Sequence, residues 1–447
     1  MSAIKPSIYN QMTITSSDGR DADFRFGVVS VDIYEDIFSP SMSAKIQIAN
    51  VGGSIKDEQG TSVTLYEGMK IRGGEPVRIK ISSNSDGNED IDFLNRPLFV
   101  RGIKNLMRGS TNEFFILNLV PREATINEHS FLQKTYSKDA PISDHVQSIL
   151  GEYFPSSEIG TIDKTLNKLG FQGNQMKPFE GLMRLASKSV PTSSGNSKSG
   201  SSSSAGYFFY QTRDGFQFRS IDDLAKQTPK ATYVYSEVNC SSIDFKPTPD
   251  MPSLDYKIIS YNILKNQDLI GQMRKGAYAS ERRFFDPITF QVSNPLESFT
   301  GKDYVGGTQN IGEVFKPEQI KLADVNLSFT ELPSEILTEV VDYGTIDKEV
   351  SYELNQDIFQ YVSQRKMRYN TLFTQIVKIQ VPLNTALRAG DIIECKFPKI
   401  TTSETNEFDR SQVSGLYMVK ELCHHFDTVG SYSIMTIVRD TFGRRKQ

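Results

Sequence analysis

The chain has 447 residues, 38% of them hydrophobic and 23% charged, with no Trp but 28 Phe and 19 Tyr. That length exceeds one ordinary core and calls for about two to four structural units of a globular protein. The formal net charge of −4 leaves no basic excess of the kind a protein that grips nucleic acid carries.

The one basic cluster, Arg444-Arg445-Lys446, reads as a solvated tail over residues 442–447. No apolar run approaches the ~20 residues of a membrane span. The start, Met-Ser-Ala-Ile-Lys-Pro, lacks the apolar core of a signal peptide. The expectation is a protein made and folded in a cytoplasm, without membrane insertion. Cys240, Cys395 and Cys423 are odd in number and far apart, which argues for free thiols rather than a disulfide framework.

The first ~120 residues alternate with the period of two that half-buried strands show. Phe24, Phe26 and Val28 share one face. Ala44, Ile46 and Ile48 oppose Lys45 and Gln47, and Val77, Ile79 and Ile81 oppose Arg78 and Lys80. Phe114 to Val120 is apolar on both faces, as in a strand packed on both sides. Residues 1–122 therefore predict a first β-barrel or sandwich.

Residues 123–235 predict an α/β insertion. Ile142, Val146, Ile149, Leu150 and Tyr153 have helical spacing, with Asp139 as N-cap and Pro141 in the first turn. Pro178 opens a second helix through Phe179, Leu182 and Leu185. Thr192 to Ala205 is nearly all Ser, Gly, Asn and Lys, and predicts a mobile loop. Tyr207 to Arg219 predicts a hairpin turning at Asp214-Gly215.

Residues 236–264 and 358–441 predict a second β unit with one helix over Gln356 to Tyr369. Residues 265–357, rich in Pro, Gly and polar residues, predict a loop-rich insertion between its halves. Two similar β units suggest a duplicated architecture without a sequence repeat.

Chemistry is sparse. The chain has no Gly-rich phosphate loop, no His-Glu-x-x-His, no Cys-x-x-Cys and no Gly-x-Ser-x-Gly. On a strand, His424 and His425 face opposite ways, so the pair does not suit one metal ion. His424 joins Leu422 and Phe426 as a core or rim residue. His145 reads as a solvated or edge residue near a helix start. Glu35-Asp36 and Asp222-Asp223 read as turn or cap residues. Phe208, Tyr210, Phe216 and Phe218 read as sheet packing rather than base stacking. No catalytic, cofactor-binding or metal-ligating residue is expected.

Several segments resemble baseplate hub proteins of T4-like phages. They are Tyr34-Glu35-Asp36-Ile37-Phe38-Ser39-Pro40 leading to Ser43–Ile48, and Ile71-Arg72-Gly73-Gly74-Glu75 before Val77. Further along, Pro178-Phe179-Glu180-Gly181-Leu182 precedes the hairpin from Phe208 to Ser220. Ala389-Gly390-Asp391 then precedes Gly415-Leu416-Tyr417-Met418-Val419 and His424.

The resemblance implies a mainly β (α+β) chain with two tail-tube-like β-barrels and α/β and loop-rich insertions. It implies a homotrimeric, pseudo-six-fold ring that joins the tail tube to the central spike and leaves a channel for DNA in transit. The implied partners are a second and third copy, the central spike protein, tail tube or tube-initiator proteins and baseplate wedge proteins, in a virion tail assembled in the host cytoplasm. It implies no catalytic residues and no cofactor. The alternatives are the hub of a non-phage contractile injection system and a tail-associated cell-wall hydrolase.

Overall fold

A computed structural model describes residues 4–51, 55–56, 60–83, 88–192, 204–235, 253–293, 299–300, 310–312, 333–341, 358–398 and 411–441. The chain is mainly β, with two barrels fused into one sheet of 15 strands. No helix among the described residues is long and apolar enough to cross a membrane.

The first barrel contains β1 (Ser7–Thr15), β2 (Asp21–Asp23), β3 (Val28–Asp36), β4 (Ser43–Val51), β5 (Pro76–Ser83), β6 (Leu98–Arg108) and β7 (Asn112–Pro121). Their order is β3-β4-β7-β6-β5-β1-β2. The predicted alternation holds in β4 and β5. Ile46, Ile48, Val77, Ile79 and Ile81 are fully buried, each contributing ~1.5–3 kcal/mol of apolar burial.

Two expectations for this barrel are corrected. Phe26 does not share the face of Phe24 and Val28. It lies in the one-turn helix Arg25–Gly27 and is 97% exposed, because the strand period breaks there. The strand Phe114–Val120 is not packed on both sides. Phe115, Leu117 and Leu119 are buried, whereas Phe114, Ile116 and Val120 are half-buried on an open face.

The α/β insertion is built from α1 (Ile142–Tyr153), β8 (Ile159–Ile162), α2 (Pro178–Lys188), β9 (Tyr207–Thr212), β10 (Gly215–Ser220) and α3 (Ile221–Ala225). Pro141, not Asp139, caps α1. Its carbonyl accepts the amides of Asp144 and His145, while Asp139 lies one loop earlier. Pro178 opens α2 as predicted. The hairpin turns through Arg213-Asp214, with Gly215 at φ +115°. β9 is buried on both faces. Tyr207 and Phe209 enter the insertion's own core, and Phe208 and Tyr210 pack against the second barrel. Most of the predicted mobile loop, residues 193–203, lies outside the described residues.

The second barrel contains β11 (Thr232–Tyr235), β12 (Lys257–Ile258) and β13 (Ser260–Asn266) from one side of a large insertion. The insertion carries β14 (Ala279–Asp286) and β15 (Glu335–Val340), and α4 (Ile358–Thr371) follows it. β16 (Gln375–Pro382), β17 (Ile392–Lys396), β18 (Gly415–Asp427) and β19 (Tyr432–Arg439) complete the barrel. β11 pairs with β17, so the barrel begins at Thr232, inside the stretch assigned to the preceding insertion. The loop-rich reading of 265–357 is corrected over its described part. β14 is the centre of a four-stranded sheet that pairs in parallel with β15. Its period is hidden because its buried positions include Ser280 and Arg282. The Arg282 guanidinium donates to Ser363 Oγ of α4 and to Glu339 of β15.

One face runs through both barrels in the order β13-β16-β19-β18-β3-β4-β7-β6, and every neighbouring pair is antiparallel. The two halves correspond over five strands each. In each barrel the later hairpin (β6-β7 or β18-β19) lies beside two earlier strands (β4-β3 or β16-β13). A further strand, β5 or β17, pairs antiparallel with the hairpin's first member. The correspondence breaks at β11, which runs parallel to β17, whereas β1 runs antiparallel to β5. This is the structural duplication that the sequence lacks as a repeat.

Candidate functional site

The two barrels meet at the β3–β18 ladder, from Asp36 opposite Glu421 to Ser30 opposite Asp427. Strand alternation sorts the junction residues onto two sides. Ile33, His424 and Phe426 are buried. On the open face His425 Nδ1 lies 2.6 Å from Asp32 Oδ1, and its ring stacks on Tyr432 at 4.5 Å. Lys45 Nζ sits 4.7 Å from the centre of the Tyr34 ring. A shallow cavity of about 520 Å³ lies on this face, lined by residues that include Lys45, Lys378, Asp36, Glu421, Tyr34 and Cys423. Its charges are mixed in sign, so it is no dedicated phosphate site. Burial pushes the Cys423 thiol up to about 12. Cys395 is buried, and Cys240 lies outside the described residues.

Behind the junction, Glu35 ties three units together. It is 2% exposed. Its Oε1 accepts the amide of Arg213 at 2.9 Å in the β9–β10 turn. Its Oε2 accepts the amide of Ala389 at 3.0 Å in the second barrel. The Arg213 guanidinium lies 4.0 Å from the same carboxylate and donates to the Thr385 carbonyl. Arg388 extends the cluster, with 2.9 Å bonds to Asp214 and to Glu89 of the first barrel. Burial raises the Glu35 pKa against the pull of Arg213 and the two amides. Burial likewise lowers Arg213 to about 10. The turn reading of Glu35-Asp36 is thus corrected for Glu35, which is a buried strand residue. It holds for Asp36, which accepts the Phe38 amide.

A second buried cluster locks the insertion and the chain's last strand. Arg368 of α4 is fully buried. It donates to Asp222 at 3.1 Å and to Asp440 at 2.7 Å. Asp440 also accepts the amides of Ile311 and Gly312, and Asp222 accepts from Ser204 Oγ. Burial raises the Asp222 pKa, and Arg368 opposes it. The cap reading holds for Asp223, which exchanges hydrogen bonds with Ser220, but not for Asp222. The sequence did not point to Arg213, Arg368, Arg388 or Asp440. A charged residue that pairs across units leaves no periodic trace.

The histidines are dispersed. His424 lies in the core as the alternation predicts, with Nδ1 2.9 Å from Ser433 Oγ. Burial, with Arg213 and Arg388 nearby, drives its pKa well down. His145 is not solvated. It is 5% exposed, and its Nε2 lies within 3.0 Å of the Ser137 and Leu169 carbonyls because α1 turns this face onto Tyr136 and Phe171. His129 is exposed. Among the described residues no group of three His, Cys, Asp or Glu side chains could hold a metal ion. Phe208, Tyr210, Phe216 and Phe218 are all buried, as sheet packing requires and base stacking forbids.

No family model matches the sequence, and no curated protein matches it. Solved structures do share the fold. The tail protein from Neisseria meningitidis MC58 is similar over 97% of this chain and 97% of its own, with a TM-score of 0.52 and 11% identity. The 43 kDa tail protein of prophage MuSo2 from Shewanella oneidensis is similar over 96% of this chain and 99% of its own, with a TM-score of 0.50 and 8% identity. The chain thus shares its fold, over nearly its whole length, with a tail protein and a prophage tail protein.

Proposed function

We propose that this chain is the central baseplate hub of a contractile phage tail. Three copies form a pseudo-six-fold ring between the tail tube and the central spike, with a channel for DNA. The observation that carries this reading is the fusion of two barrels of matching strand order through the β3–β18 ladder. Two quasi-equivalent barrels per copy convert three-fold symmetry into six-fold spacing, which suits a joint between a six-fold tube and a three-fold spike. The end-to-end likeness to two tail proteins supports the same reading.

The role is mechanical. A sheath contraction loads the joint, and the β3–β18 ladder with its Glu35 and Arg368 clusters carries that load without sliding. Around the junction the open face mixes Lys45 and Lys378 with Asp32, Asp36 and Glu421, while Arg101 and Lys104 join Lys45 at an adjoining hollow. The remaining partners are the spike, the tube or its initiator and the baseplate wedges. Immunogold labelling of intact tails with antibodies to this chain tests the placement. Label confined to the baseplate end is expected. Label along the tube or on the capsid would overturn it.

A further inference from the structure

The open face of the first barrel carries a hollow of about 330 Å³ whose lining differs in kind from the junction cavity beside it. Lys45 of β4 stands on one side, and Arg101 and Lys104 of β6 stand on the other. Ser43 and Asn118 add polar side chains, and Gly102 adds none. No carboxylate lines the hollow among the described residues, whereas Asp36 and Glu421 line the junction cavity. None of the three cations forms an ion pair among the described residues. Lys45 Nζ instead sits 4.7 Å from the centre of the Tyr34 ring.

Strand register makes the hollow. Asn118 of β7 pairs with Lys45 on one side and with Gly102 on the other. One row across three strands thus runs from a long cation to no side chain at all. The register of β6 against β7 slips at this point, because Gly102 opposes Asn118 but Val100 opposes Leu119. Arg101 is the extra residue, and a bulge of this kind re-aims the side chain it adds. Gly102 keeps the floor open. A Cβ there meets nothing within 4 Å, and Gly102 is not among the glycines at positive φ. Neither packing nor backbone conformation demands a glycine at this position.

We infer that this hollow binds a phosphate group, and that the phosphates it meets belong to the DNA backbone. The DNA source rests on the hub reading, in which DNA passes through the ring. The chemistry fits an oxoanion. The Arg101 guanidinium offers paired N–H donors in a plane, which match two oxygens of one phosphate. Lys45 and Lys104 add positive charge, and Ser43 and Asn118 supply neutral donors. The three cations are exposed, so their attraction is screened by salt and weak. The chain as a whole carries a net charge of −4 and adds no general pull on DNA. A contact of this strength guides a passing strand and releases it.

The test is binding of a short fluorescent DNA duplex to the full chain by anisotropy, over a series of salt concentrations. Wild type is compared with the Arg101→Gln/Lys104→Gln double variant and with Gly102→Leu, which fills the hollow and keeps every charge. Thermal melts establish that both variants fold. The double variant is expected to weaken binding by about tenfold and to lower the slope of log affinity against log salt by about 2. Gly102→Leu is expected to weaken binding by about threefold or more, which a diffuse surface charge would not produce. Wild type that binds no duplex at low salt, or binding that both variants leave unchanged, overturns the site. Inorganic phosphate, followed by the width of its phosphorus resonance, is the second probe. Phosphate bound by wild type and lost in Gly102→Leu, with no duplex bound, overturns the DNA assignment. Micrographs of the same fractions separate this inference from the hub reading. A ring without the binding overturns the site and leaves the hub, and the binding without a ring supports the site and overturns the hub.

Discussion

Glu35 and Arg213 are 178 residues apart, yet the amide of one binds the carboxylate of the other at 2.9 Å, with both side chains buried. The second carboxylate oxygen holds Ala389, so one side chain fixes the first barrel, the insertion and the second barrel relative to one another. Both oxygens act as acceptors. Glu35→Ala leaves two buried amides unbonded and costs about 2–5 kcal/mol. Glu35→Gln keeps one acceptor and costs about 1–3 kcal/mol. Urea denaturation of the two variants checks the order, and equal costs would show that the second amide bond contributes nothing.

Arg368 makes a stronger case of the same kind. Removing its charge strands Asp222 and Asp440 in the core, so Arg368→Met is expected to lose about 3–5 kcal/mol. Adding Asp222→Asn and Asp440→Asn removes the orphaned charges and recovers part of that loss. Thermal melts of the single and triple variants decide whether the penalty comes from unpaired charge or from altered packing.

His424 makes stability depend on pH. Its pKa in the fold is depressed, so between that value and about 6.5 the unfolded chain binds more protons than the folded one. Its contribution is complete above about pH 6.5 and is lost as pH falls below it, by up to ~1.4 kcal/mol per pH unit. His145, also lowered by burial, acts with the same sign. Glu35 and Asp222, whose pKa values are raised, act with the opposite sign. The difference between wild type and His424→Gln therefore isolates the imidazole. Urea unfolding at pH 7.5, 6.0 and 5.0 should show that difference changing as pH falls, with the variant less acid-sensitive.

Gly215 follows the hairpin turn at φ +115°, and a Cβ there would come within 2.4 Å of the Glu158 carbonyl oxygen. Gly215→Ala is expected to cost about 1–3 kcal/mol. It should also raise the rate of limited proteolysis in the insertion, which distinguishes local from global weakening.

The strands of both barrels were legible because their buried faces are aliphatic at a period of two, as in Ile46 and Ile48 or Val377 and Ile379. Phe26 was misplaced because a one-turn helix interrupts that period without changing composition. β14 escaped notice because Ser280 and Arg282 occupy buried positions whose partners come from distant segments. The clusters at Glu35 and Arg368 were illegible for the same reason. Pairing across 100 residues or more depends on topology, and local sequence does not encode it. Facing of His424 and His425, which depends on local alternation alone, was read correctly.

The most direct test of the hub account is the mass of the purified chain in solution by light scattering, with electron micrographs of the same fraction. The account predicts a particle of three chain masses, seen end-on as a ring with a central hole. A stable dimer without a hole would contradict it.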